Sequence, residues 1–72
     1  MTLCEIQQGS QAKIVSIGGG RTAQQQLREL GLFPGDTVRV LRRAAFQGPL
    51  LIECRGTQIA LGRGVAAKVV VE

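Results

Sequence analysis

Ten glycines divide the seventy-two residues into short stretches rich in Val, Ile and Leu. Only one stretch between them carries a helical period, so the chain must build itself mainly from strands. The first strand reads Ala12-Lys13-Ile14-Val15-Ser16-Ile17, after a turn at Gln8-Gly9-Ser10. Ala12 and Ile14 share one face and Val15 and Ile17 the other, a break in parity that a bulge, or a strand covered on both faces, would produce. Thr37–Arg42 follows with Val38 and Val40 inward, and Leu50–Arg55 returns with Leu50, Ile52 and Cys54 inward. Pairing Val40 with Ile52 brings Arg39 opposite Glu53, so one register serves both the core and a cross-strand ion pair. The same register sets Leu41 opposite Leu51. Gly56-Thr57 reads as a Gly-first, type II′ hairpin loop, after which Ile59 faces Cys54 and Leu61 faces Ile52. A Gly62-Arg63-Gly64 passage and a turn through Val65-Ala66-Ala67 lead to the last strand, Lys68–Glu72.

The helix is expected from about Thr22 to Leu30. Thr22 makes an N-cap, and Gln25 three residues on completes a capping box. Ala23, Leu27 and Leu30 form one apolar stripe. Gly31 stands where a left-handed residue ends a helix, and Leu32 beyond it is placed to pack back on Leu27. Phe33-Pro34-Gly35-Asp36 has Pro and Gly at the centre of a type II turn. These elements predict a mainly all-β fold in one domain, residues 1–72: a small five-stranded SH3-like barrel with one short helix inserted after the first strand. A five-stranded OB-like barrel is the rival, because strand order cannot be read from pattern.

At this length a core supplies roughly 3–5 kcal/mol, so most apolar residues are committed to folding. The chain has no histidine. No Ser-His or Cys-His pair is possible, the five carboxylates are scattered, and the two cysteines, Cys4 and Cys54, have no metal or redox spacing. No enzyme activity, cofactor or metal ligand is therefore expected. Gly18-Gly19-Gly20 precedes the helix without the Lys-Ser/Thr pair of a phosphate loop and reads as a flexible connection. The net charge of +4 favours an acidic partner. The charge is dispersed, however, and Tyr and Trp are absent, so a nucleic-acid-binding module using the basic surface is only the alternative. No signal sequence is recognised at Met1–Glu5, and the apolar runs are too short to span a bilayer. A reducing cytoplasm is the expected location.

The run Leu27-Arg28-Glu29-Leu30-Gly31-Leu32-Phe33-Pro34-Gly35 resembles the signature of the ferrous-iron transport protein A (FeoA) family, a short helix ending in Leu-Gly-Leu or Leu-Gly-Met followed by x-Pro-Gly. Gly9, Ala12 and Ile14 resemble that family's opening turn and first strand. Val38-Arg39-Val40 with Gly48-Pro49-Leu50-Leu51-Ile52 resembles its central hairpin, and Ile59-Ala60-Leu61 and Ala66–Val71 its last two strands. The resemblance implies an SH3-like barrel, related to the C-terminal domain of metal-dependent bacterial repressors. It implies a cytosolic accessory of bacterial ferrous-iron uptake, peripheral to the membrane through its partner alone. That partner would be the membrane transporter that carries a cytosolic G-protein domain. It carries over no catalytic or metal residue.

For the partner surface, the residues themselves suggest a patch. Leu41 and Leu51 face outward beside Phe46 at a loop tip, rimmed by Arg39, Arg42 and Arg43. The competing expectation is that the helix or the Leu3–Ile6 segment covers that face.

Overall fold

Inward Val, Ile and Leu draw the short stretches into a single antiparallel sheet. The computed structural model describes residues 1–72. Its strands are β1 (Gln11–Ile17), β2 (Thr37–Arg43), β3 (Leu50–Cys54), β4 (Thr57–Leu61) and β5 (Val69–Val71), in the order β4-β3-β2-β1-β5. A helix α1 (Gly20–Glu29) lies between β1 and β2, and a single helical turn α2 (Arg63–Ala66) between β4 and β5. One core of fifteen buried residues runs through the molecule. It takes Ala12 and Ile14 from β1, Val38 and Val40 from β2, and Leu50, Ile52 and Cys54 from β3, with Leu27 and Leu32 at the end of α1.

The chain start belongs to this core. Leu3–Glu5 forms a 3-10 turn, with Leu3 fully buried and Ile6 nearly so. The Thr2 N–H donates to Glu5 Oε1 at 2.8 Å, and Thr2 bridges to Val70 on the outer side of β5. The Leu3–Ile6 segment therefore closes the barrel.

Two bulges set which side chains face out. In β1, Ile14 pairs with Val71 but Ser16 with Val70, which makes Val15 the extra residue. This accounts for the parity break and leaves Val15 exposed. In β2, Val40 pairs with Ile52 as expected, but Arg42 pairs with Leu51 and Arg43 with Leu50. Leu41 is thus the bulged residue, and it does not face Leu51. The extra residue reverses the alternation, so Arg43 shares the inward side with Leu50. Its guanidinium donates there to the carbonyls of Cys4 and Ile6. Arg39 does stand opposite Glu53, yet no ion pair forms between them; its Nη1 donates to the Gly9 carbonyl at 2.9 Å.

Three local expectations are corrected. The β3–β4 loop is Arg55-Gly56, because Cys54 pairs with Thr57. Both loop residues are left-handed, with φ of +52° and +81°, which is a type I′ turn. Ile59 consequently pairs with Ile52, and Leu61 with Leu50. The helix begins before Thr22, whose side chain makes no cap, so the Thr22–Gln25 capping box is absent. Gly19 and Gly20 take φ of +83° and +81° instead, and a Cβ on Gly19 would lie 2.5 Å from the Lys68 side chain. The triple glycine is thus a turn of defined shape, tied by the Gly18 N–H to the Lys68 carbonyl at 2.7 Å. Finally, Leu30 is exposed, so the buried stripe of α1 is Ala23 and Leu27.

Candidate functional site

The segment that ends α1 is tied by several hydrogen bonds to its own turn and to the β3–β4 hairpin. Gly31 is left-handed at φ +88°. Its N–H donates to the Arg28 carbonyl at 2.9 Å, and the Leu32 N–H to the Leu27 carbonyl at 2.9 Å. That is a Schellman ending, completed by burial of Leu27 and Leu32 together. Pro34 and Gly35 then form the expected turn: Gly35 has φ +96° and the Asp36 N–H reaches the Phe33 carbonyl at 3.1 Å. Asp36 uses both carboxylate oxygens, accepting from the Phe33 N–H at 3.0 Å and from Arg55 Nη1 at 2.8 Å. The second Arg55 nitrogen donates to the Gly31 carbonyl at 2.7 Å. A left-handed arginine on the β3–β4 hairpin is thereby anchored to the helix end. Nothing in sequence spacing links Arg55 to Asp36; a charge pair nineteen residues apart becomes visible only once the barrel closes.

Cys54 lies against this clamp. Burial first, and then the Asp36 carboxylate, push its thiol up, while the Arg55 guanidinium pulls it back. The folded chain therefore keeps a proton that the unfolded chain releases as pH rises through the ordinary thiol range. Stability is full below that range and falls as pH climbs through it. Urea unfolding at a series of alkaline pH values should show this decline, and Cys54→Ala should flatten it. An unchanged slope in that variant would assign the effect to another group.

The partner patch expected from sequence is partly dispersed. Leu41 is half-buried in its bulge, and Leu51 is half-buried between Arg42 and Ala60 on the neighbouring strands. Arg39 and Arg43 are occupied by backbone carbonyls. Arg42 is exposed, without a hydrogen-bond or ion-pair partner. Phe46 is entirely exposed, at 100%. It sits in a tight turn closed by the Gly48 N–H on the Ala45 carbonyl at 3.1 Å, and both Phe46 and Gln47 are left-handed at φ +57° and +60°. Two non-glycine residues in that region carry strain, at a turn whose aromatic ring lies in water.

A second surface feature was not anticipated. A groove of about 410 Å³ runs between α1 and the β1 bulge, lined by Val15, Ile17, Phe33 and Pro34 with the polar Ser16, Gln24 and Arg28. The sequence alone places Phe33, and Phe46 less firmly, within the aliphatic core, but the structure leaves Phe33 43% exposed beside this groove. No three His, Cys, Asp or Glu side chains come together in the chain. No helix is long and apolar enough to cross a membrane.

A five-stranded sheet in this order, with a helix inserted after the first strand and a helical turn before the last, defines a small SH3-type barrel. The same barrel recurs in ScaR, solved with bound Zn2+, at 25% identity and a TM-score of 0.90 over 100% of this chain and 36% of that one. The FeoA domain matches residues 1–72, and the chain belongs to the FeoA family. A Methanocaldococcus jannaschii protein provisionally named Fe(2+) transport protein A is 35% identical over 97% of this chain and 83% of its own. FeoA of Stenotrophomonas maltophilia, solved with zinc and described as a procaryotic SH3 domain protein, is 32% identical with a TM-score of 0.83, covering 100% of this chain and 89% of that one. A Porphyromonas gingivalis protein named as a fusion of Fe(2+) transport protein A with the Fe(2+) transporter FeoB is 32% identical over the whole chain, which spans 8% of that protein.

Proposed function

We propose that this chain is a cytoplasmic accessory protein of ferrous-iron uptake. It binds the membrane transporter that carries a cytosolic G-protein domain and modulates or assembles it. The observation that carries this reading is the fused relative, in which a homologous domain and FeoB are one polypeptide. Covalent fusion sets two domains at a high effective concentration, an arrangement suited to partners that work in contact. The absence of histidine and of any clustered thiols fits a protein that acts by contact with another protein. The ring of Phe46 supplies the anchor, with Arg42 near it in the chain and Leu51 opposite Arg42 on the next strand. An exposed aromatic beside a cation suits an apolar pocket with an acidic rim.

The test is capture of the transporter from detergent-solubilised membranes with the tagged chain as bait. Phe46→Asp should lower capture roughly 30-fold, the equivalent of about 2 kcal/mol for an aromatic anchor, and leave the melting temperature unchanged. Failure of the unaltered chain to retain the transporter would sink the reading. Salt-sensitive binding to labelled oligonucleotides would instead favour the nucleic-acid alternative.

A further inference from the structure

The groove between α1 and β1 exposes apolar surface of Val15 and Phe33, which lie outside the core, beside Ile17, which packs against it. Fifteen buried residues complete the core, and none of the groove's residues is among them. Val15 is 47% exposed and Phe33 is 43% exposed, side by side in a concavity where water gains little from either. Its volume of about 410 Å³ is in the range that takes a small ligand or one or two large side chains.

Charge identifies what would fill it. Helical spacing puts Arg21, Gln24 and Arg28 on one face of α1. Neither guanidinium has a carboxylate partner, since the protein's one ion pair is Arg55–Asp36. None of the groove's residues is acidic. The Gln24 Nε2 donates to the Ile17 carbonyl at 3.3 Å, which fixes the amide and leaves its oxygen free to accept.

We propose that this groove binds a short segment of a partner protein in which an apolar side chain stands beside a carboxylate. The apolar side chain covers Val15, Ile17, Phe33 and Pro34, and the carboxylate meets the fork of Arg28. A second copy of this chain also offers an exposed apolar residue beside a carboxylate, Leu30 next to Glu29, and a concentration series of the chain alone separates that occupant from a partner protein. The proposal does not depend on which protein carries the segment, so it stands or falls separately from the transporter.

The test uses the full chain, isotope-labelled for NMR, titrated with the peptide acetyl-Leu-Leu-Glu-Glu-amide and with a Gln-Gln version of it. Saturable amide shifts confined to Val15–Ile17, Gln24–Arg28 and Phe33 are expected. The Gln-Gln peptide should bind at least about fivefold more weakly, the loss of one charge-assisted contact. In Arg28→Gln the two peptides should become equal, and Val15→Ser should weaken both. Both substitutions fall on exposed residues, so the spectrum of the folded chain should persist. Equal binding of the two peptides to the unaltered chain would overturn the proposal, as would shifts centred elsewhere or none up to millimolar peptide. Shifts in the groove produced by concentrating the chain alone would assign it to self-association, and so would also overturn it.

Discussion

Replacing Leu3 by alanine is expected to lose about 2–5 kcal/mol, the usual consequence of emptying a fully buried leucine site. Since the core of a domain this small supplies roughly 3–5 kcal/mol, that loss takes up a large part of the stability of the molecule. Leu3 has no exposed surface and belongs to the main core. The turn that presents it is fixed independently, by the Thr2–Glu5 hydrogen bond, the Thr2–Val70 bridge and the Arg43 guanidinium on two carbonyls. It cannot easily collapse into the space left behind. Urea titration followed by circular dichroism measures the loss. A cost under about 1 kcal/mol would be that of a surface contact and would show that the segment is only a loose cover.

Leu32→Ala should cost a similar 2–5 kcal/mol, and for a related reason. Leu32 is fully buried, and its backbone N–H closes the helix ending on Leu27. Truncation removes packing without removing that hydrogen bond. Gly31→Val strikes the same ending differently. The new Cβ would meet only the Arg55 Nη2, at 3.8 Å, so space is not the obstacle. A β-branched residue at φ +88° is the obstacle, with an expected cost of roughly 1–3 kcal/mol. The order Leu32→Ala worse than Gly31→Val, read as urea midpoints, follows from packing outweighing backbone strain here. The reverse order would mean that the left-handed ending is the main determinant.

The elements that could be read from sequence are those whose cause is local. Gly31, Leu32, Pro34 and Gly35 each state their own conformation, and the structure keeps all of them. The Val40–Ile52 register was legible because the inward residues of both strands allow only one parity. What could not be read depends on distant partners. The bulge at Leu41 is visible only in its result, since it turns Arg43 toward carbonyls at the far end of the chain. The hairpin at Arg55-Gly56 places a non-glycine residue left-handed, against local preference, where its side chain finds Asp36 and Gly31. Left-handed backbone at Gly19 and Gly20, with the Lys68 side chain close against Gly19, starts the helix ahead of Thr22 and leaves no threonine cap. For the candidate surfaces, Phe46 was legible as a loop-tip aromatic. The groove was not, because it joins a strand bulge to a helix face and a turn.

The pairing of Thr2 with Val70 also has a consequence in time. The β2–β3–β4 meander brings together residues close in sequence and can form early. Closing the barrel cannot: Val71 donates to the Met1 carbonyl, and β5 pairs with β1, so the first and last segments meet across nearly the whole chain. Such non-local closure is the slow step in small β proteins. During synthesis the Leu3–Ile6 segment can meet Arg43 of β2 early, but Met1 and Thr2 before it lack their pairing with Val71 and Val70 until β5 has emerged. Folding is therefore completed late, when the first and last segments meet on the already formed meander.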